Sequence, residues 1–253
     1  MKSIFKTVIV ICVTLLLVVT VFLVKAKIDE KKVDKGTKLS TNDPVVTLLQ
    51  AQINKNTELR LANLTFESLN GKDFITYALY ALDDKEYEIK NYNSDSGLCV
   101  VPNSVMFSSN TNCSIKIMDE NKIKELIKEL FNKEPTLSTE EFEYKEYFCK
   151  YDSGFYYCLI NNEYKNNTKY YTYLDDAYEK DDEIYLYEYY LNINLNNQAK
   201  CLKFYNSDIC NNLGNVEIPE LTKEKIKENG VLYKHTFVKD DNKYYLLKSE
   251  VVK

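Results

Sequence analysis

An α+β domain of helices packed on a mainly antiparallel β-meander, held behind an N-terminal transmembrane helix, is the fold class this sequence predicts. Three observations carry it. From Phe142 to Leu195, tyrosine and other β-prone residues alternate with polar ones through four strand-length segments. Just before them, Asp119 to Lys133 places apolar residues at helical spacing. At the start of the chain, Thr7 to Val24 is uncharged and mostly apolar, with lysines on both sides.

That apolar run has 18 residues, which at helical rise spans about 27 Å, close to the hydrocarbon thickness of a bilayer. Val24 and Ala26 stand at the small-residue positions of a secretory cleavage site, but the run exceeds the usual signal length, so an uncleaved anchor is expected. Cys12 lies within the run as an apolar filler. Residues 1–24 are then a cytoplasmic tip and anchor, 25–43 a charged polar stalk, and 44–253 the extracytoplasmic domain.

Two signals conflict over its side of the membrane. Lys25, Lys27, Lys31, Lys32, Lys35 and Lys38 outweigh Lys2 and Lys6, which by the positive-inside rule keeps the domain in the cytoplasm. Against this, six cysteines follow the anchor at short separations, Cys99 and Cys113, Cys149 and Cys158, Cys201 and Cys210, the usage of an oxidising compartment. The cysteines are the stronger signal, and they predict an outer-face domain on a single-pass membrane protein.

Within the domain, Asp43 followed by Pro44 is an N-cap and first helical residue, opening a helix to about Asn54 with Val45, Leu48, Leu49 and Ile53 on one side. Glu58 to Glu67 fits strand or helix equally, and periodicity does not decide it. Asn70 caps a second helix to about Asp83, with Asp73 three residues on and Phe74, Tyr77, Ala78, Ala81 and Leu82 in a stripe. Tyr87 to Tyr92 suits a strand. Asn91 to Asn112, rich in turn formers and holding Pro102, is a long loop necked by Cys99 and Cys113, and so one candidate binding surface.

The clearest helix is Asp119 to Lys133. Asp119 caps it, Ile123, Leu126, Ile127, Leu130 and Phe131 form its stripe, Glu120–Lys124 and Glu129–Lys133 are favourable pairs four apart, and Pro135 follows. Preceding a meander, it must pack on that sheet's core face. After the meander, Thr222 to Asn229 is a short helix stopped by Gly230, and Val231 to Val238 with Lys243 to Val251 make a last hairpin.

One register is legible outright. If Ser153 and Gly154 form a two-residue turn, Asp152 faces Phe155, Tyr151 faces Tyr156, Lys150 faces Tyr157 and Cys149 faces Cys158. The cysteines then fall on a non-hydrogen-bonded pair with Cα atoms roughly 4.5 Å apart, within disulfide reach. Cys201 and Cys210 would likewise face each other across a loop from Phe204 to Ser207. Connectivity other than Cys149 to Cys158 stays open, and zinc would want tighter pairs and added histidine.

The strand Ile184 to Leu195 has period two, with Tyr185, Tyr187, Tyr189, Leu191, Ile193 and Leu195 on the face expected to be core, and Glu188, Asn192 and Asn194 on the other. The abundance of tyrosine has two readings. Its ring suits a pleated surface with the hydroxyl in water, or Tyr185, Tyr187, Tyr189 and Tyr190 form an exposed platform that stacks on a sugar or a partner protein.

Composition removes whole classes of function. Arg60 is the only arginine and the net charge is −5, so nucleic acid is not an expected partner. Only six glycines, none grouped, exclude a Gly-rich phosphate loop. No cofactor motif is present, and serine-hydrolase and thiol-protease signatures are missing. His235, the one histidine, lies between Tyr233 and Phe237 on a strand face and is expected as a packed sheet residue. The acidic corner, with Asp175, Asp176, Asp181 and Asp182 as its candidate ligands, suits a weak calcium site in residue type but lacks EF-hand spacing. Paired carboxylates of a glycosidase need a facing cleft that spacing does not show.

The anchor, the Lys-rich stalk, the helices and the Tyr-rich hairpins ending in Tyr233 to Phe237 and Tyr244, Tyr245 and Leu246 resemble anchored proteins of AT-rich Gram-positive bacteria and their wall-less relatives. That group carries no assigned activity. A helix before a curved antiparallel meander also looks like the cystatin or nuclear-transport-factor-two architecture, an analogy of fold alone. The expectation is an envelope protein that binds a surface protein or an envelope polymer, with an extracytoplasmic hydrolase or a purely structural role as alternatives.

Overall fold

The computed structural model describes residues 35–55, 63–93, 97–101, 105–108, 113–161, 168–194, 199–204, 207–212 and 222–252. The apolar run Thr7–Val24 lies outside them, and among the described residues no helix is long and apolar enough to cross a membrane. Thr37–Lys253 form one unit of α+β structure in which, among the described residues, every strand pairing is antiparallel.

The first half runs β1 (Thr37–Leu39), α1 (Pro44–Asn54), β2 (Asn63–Leu64), α2 (Gly71–Ala81), β3 (Tyr87–Tyr92), β4 (Leu98–Val100), β5 (Met106–Ser108), β6 (Cys113–Asp119) and α3 (Glu120–Phe131). The second runs β7 (Phe142–Tyr144), β8 (Tyr147–Asp152), β9 (Phe155–Ile160), β10 (Thr168–Lys180), β11 (Glu183–Asn194), β12 (Ala199–Phe204), β13 (Ser207–Asn212), α4 (Lys223–Asn229), β14 (Val231–Asp240) and β15 (Lys243–Val251).

The helix ends follow local chemistry. Asp43 accepts from the Val45 amide at 2.8 Å ahead of Pro44. At α2 the box is reciprocal: Asn70 Oδ1 accepts from the Lys72 and Asp73 amides, while Asp73 Oδ2 accepts from the Asn70 amide at 2.7 Å. Gly71 admits no side chain, because a Cβ there would lie 2.4 Å from the Ser138 backbone nitrogen. Asp119 caps α3, which ends at Asn132 in the left-handed region, φ 54°. Glu120 and Lys124 pair at 2.6 Å as spaced, whereas Lys133 reaches Glu67 instead of Glu129.

Three expectations about these elements need correction. On α1 the buried residues are Val46, Leu49 and Ile53, and Leu48 is 59% exposed, so the helix is rolled from the predicted stripe. Thr37–Leu39, assigned to the stalk, pairs with Ala177–Glu179 and starts the domain before residue 44. The loop from Asn91 to Asn112 contains the β4–β5 hairpin, joined to β6 by the Cys99–Cys113 disulfide, Cα atoms 6.2 Å apart. Cys99, Val101, Val105 and Phe107 pack there with Ile115 and Tyr157 as a separate small core.

The β8–β9 hairpin has the predicted register throughout, with Ser153 (φ 50°) and Gly154 (φ 86°) in its turn and the Cys149–Cys158 disulfide across it, Cα atoms 4.0 Å apart. Cys201 and Cys210 are register partners, but the strands continue inward to a Phe204–Ser207 pair, which shortens the predicted loop.

The predicted four-strand meander is divided. Strands β7, β8 and β9 belong to a five-stranded sheet of order β3-β6-β9-β8-β7. Strands β10 and β11 belong to an eight-stranded sheet of order β1-β10-β11-β14-β15-β2, with β12 pairing β11 off that path and β13 pairing β12. Tight turns dictate pairing within β8–β9 and β10–β11, but β9 takes β6 on its free side, and nothing local to residues 142–195 announces that competitor.

One core lies between these elements. It gathers Val46 and Leu49 of α1, Phe74 and Ile75 of α2 and Ile123 and Ile127 of α3. Met118 and Tyr156 join from the five-stranded sheet, and Ile184, Leu186, Phe237 and Leu246 from the eight-stranded one. The helix α3 therefore serves both sheets, touching β15 as well as β6.

From Ile184 to Tyr190 on β11 the predicted faces are exchanged. Ile184, Leu186, Glu188 and Tyr190 are buried in the interior, while Tyr185, Tyr187 and Tyr189 are half-buried on the outer side. Period two identifies two faces but does not rank them when both carry apolar atoms. The side bearing Ile184 and Leu186 wins because that is where the helices lie, whereas tyrosine tolerates the wetter side. Leu191 and Ile193 are buried on that outer side, beneath Ile226 of α4.

Candidate functional site

The outer face of the eight-stranded sheet can be built pair by pair from the register. Tyr178 stands opposite Tyr185, Asp176 opposite Tyr187 and Tyr173 opposite Tyr189. One strand over, Thr236 faces Tyr185 and Lys234 faces Tyr187; beyond them Lys248 and Glu250 complete the rows. Directly opposed residues share a face, so aromatic rings and charges are interleaved across four strands.

Their contacts show how the rings are held. The Tyr178 and Tyr187 rings meet edge to face at 5.8 Å, and Lys234 Nζ sits 4.1 Å from the Tyr185 centroid. Tyr185 donates to Glu183 at 2.5 Å, and that bond, with burial second, pushes its phenol up to about 12. Tyr178 donates to Asp176 at 3.1 Å, and Lys38 pairs with the same carboxylate. Burial raises the Tyr178 and Tyr187 phenols, and the Asp176 hydrogen bond raises the Lys38 amine. At neutral pH this surface is therefore one of neutral rings, cationic lysines and anionic acceptors.

At the other end of the face α4 covers the strands. Lys227 lies 5.2 Å from the Tyr173 ring and 5.8 Å from Tyr189, and it pairs with Asp175. Tyr189 is thus half-shielded, and the open part of the platform is Tyr178, Tyr185 and Tyr187.

Of the four tyrosines singled out from sequence, the fold brings Tyr185, Tyr187 and Tyr189 together and separates Tyr190. Tyr190 is 3% exposed on the inner face, stacked on Tyr170 at 6.2 Å and edge-on to Tyr233. Strand parity alone would have divided them, since 190 is even. Sequence reasoning missed Tyr178, Lys38 and Lys234, whose only signal is the cross-strand register.

The acidic candidates do not converge. Asp175 is the extra residue of a bulge between Leu174 and Asp176 and is paired with Lys227, while Asp176 is held by Lys38 and Tyr178. Asp181 and Asp182 form the β10–β11 turn, five strand residues or roughly 16 Å further on. Among the described residues no group of three or more His, Cys, Asp or Glu side chains is placed to hold a metal ion.

Inside the domain, Glu188, His235 and Ser249 form a polar link across β11, β14 and β15. His235 Nδ1 is 2.7 Å from Ser249 Oγ, and its Nε2 is 3.5 Å from Glu188 Oε2. The residue types are those of an acid, a base and a nucleophile, yet none is more than 1% exposed, and the imidazole is stacked on Tyr233 at 6.0 Å. No substrate reaches them, so the array is a buried cross-link between strands. A cavity of 560 Å³ opens between α1, α3 and the β14–β15 turn, with Leu48, Glu125, Glu129 and Tyr244 among its walls. Its two carboxylates lie one turn apart on a single helix and do not face each other. Compared with known protein families, with curated proteins and with solved structures, the chain finds no match.

Proposed function

We propose that this chain is a membrane-anchored binding protein of the cell envelope, with its domain outside the membrane and its binding surface on the outer face of the eight-stranded sheet. The observation that carries the reading is the half-exposed row Tyr178, Tyr185 and Tyr187, interleaved with Lys38, Lys234, Asp176 and Glu183. Such rings stack on the apolar faces of sugars or on partner side chains, and the charges beside them supply hydrogen bonds to hydroxyls and amides. The partner class is a surface protein or an envelope polymer. Cysteine usage supports the compartment: the two disulfides among the described residues bridge short sequence separations, 14 and 9 residues, in a domain that follows the apolar run. The transmembrane anchor, the polar stalk and the cystatin or nuclear-transport-factor-two analogy belong to this proposal.

The test has two arms. In intact cells, a membrane-impermeant maleimide is expected to label Cys149 and Cys158 only after reduction with an added thiol; free thiols that react only after lysis would place the domain in the cytoplasm. In co-sedimentation with isolated envelope fragments, Tyr185→Ala combined with Tyr187→Ala is expected to weaken binding roughly tenfold or more. Equal binding by the variant would remove the platform from the mechanism.

A further inference from the structure

Strand β10 has 13 residues, but on its outer edge β1 covers only Ala177–Glu179. Among the described residues no strand pairs with Lys169–Asp175 on that side, although β11 pairs along the other. A bare strand edge is a template for another strand, and proteins blunt it with charge, proline or brevity. The edges of the five-stranded sheet follow that rule. Strand β3 carries the Glu88–Lys90 ion pair at 2.6 Å, and β7 is three residues long. From Tyr170 to Leu174 the β10 edge has no charge and no proline.

We infer that this edge pairs with the same edge of a second copy of the chain, antiparallel, about a twofold axis at Thr172. The segment Lys169, Tyr170, Tyr171, Thr172, Tyr173, Leu174, Asp175 is complementary to its own reverse. In that register Tyr170 faces the Leu174 of the other copy, Tyr171 faces Tyr173 and Thr172 faces itself, while Lys169 stands opposite the bulge residue Asp175, whose carboxylate also holds Lys227. Opposite charges, aromatic pairs and threonine pairs are the favourable cross-strand combinations, and no like charges meet. Residues of equal parity are opposed, so Tyr171 and Tyr173, which lie on the outer face with Tyr189 and Leu191, stay on one face across the junction. The length also fits, since the seven residues lie within the part of β10 that β1 does not reach and end two positions before Ala177, where β1 pairing begins. Moving the axis to Tyr171 would set Lys169 against a tyrosine, and moving it to Tyr173 would carry Lys169 onto Ala177, where β1 already pairs. The two eight-stranded sheets become one, with the open Tyr178, Tyr185 and Tyr187 rows of both copies on the same face of it.

The experiment uses the full chain in detergent micelles. With Thr172→Cys, mild oxidation with copper phenanthroline is expected to give a covalent dimer in at least roughly fivefold higher yield than Lys169→Cys or Tyr171→Cys, because only the residue on the axis meets its own copy within disulfide reach. Sedimentation equilibrium is expected to show a dimer whose dissociation constant rises roughly tenfold or more in Thr172→Lys, which sets two cations against each other. A monomeric wild-type chain, equal cross-linking at all three positions, or a dimer untouched by Thr172→Lys would each overturn the inference; the last would assign association to the N-terminal segment. If Thr172→Lys loses its folded circular dichroism, the cross-linking comparison alone decides.

Discussion

Phe237→Ala is expected to lower the unfolding free energy by about 4 kcal/mol, the largest effect of any single truncation proposed for this chain. Phe237 is wholly buried on β14, opposite Ile184 on one neighbouring strand and Leu246 on the other, in the core shared by both sheets and α1 to α3. Truncation removes a large apolar side chain from water-free packing and leaves a cavity whose walls belong to several rigid elements, so little of it can collapse. Guanidinium unfolding of the full chain, followed by tyrosine near-ultraviolet circular dichroism, should show a lower midpoint with unchanged slope. A loss under about 1.5 kcal/mol would mean that the two sheets do not share one core.

Stability is expected to rise by about 2 kcal/mol between pH 8 and 10, and then to fall above pH 10. The rise comes from Lys116 on β6, which is 4% exposed. Its Nζ donates to the Leu79 carbonyl in the last turn of α2 at 2.7 Å and lies 3.5 Å from the Tyr87 centroid. Burial outweighs the nearby Asp84 and pulls the amine down from 10.5 to about 8. From about 8 to 10.5 the unfolded chain binds the proton that the folded chain has lost, so stability increases with pH across that window.

Tyrosine has the opposite sign. Burial pushes up the phenols of Tyr77, Tyr80 and Tyr156, and raises Tyr147 to about 12. Their contribution is complete below 10 and is lost as pH climbs through the raised folded values, because only the unfolded rings ionise there. Lys116→Met is expected to abolish the rise and keep the fall. A rise that survives in the variant would assign it to another group.

Local chemistry made much of this fold legible. The caps at Asp43, Asn70, Asp119 and Thr222, the stop at Gly230 and the Cys149–Cys158 register each depend on residues within a turn or a hairpin of one another. The candidate site was half legible: the Tyr185, Tyr187 and Tyr189 row was readable as one face, but its orientation was not, and Tyr190 was grouped across the pleat.

The sequence by itself determined the capped helices and the β8–β9, β10–β11 and β14–β15 hairpins, though not the β4–β5 hairpin or strand β6, because a cap side chain two or three residues from an amide, or a turn that accepts positive φ, finds its partner without the rest of the chain. The tertiary structure decided that β9 pairs with β6, that β10 and β11 join a different sheet from β7–β9, and that Ile184 and Leu186 turn inward while the tyrosines face out. Those outcomes depend on which distant surface supplies the larger apolar cover. For a strand with usable side chains on both faces, that cover is a property of the helices packed against it and not of the strand.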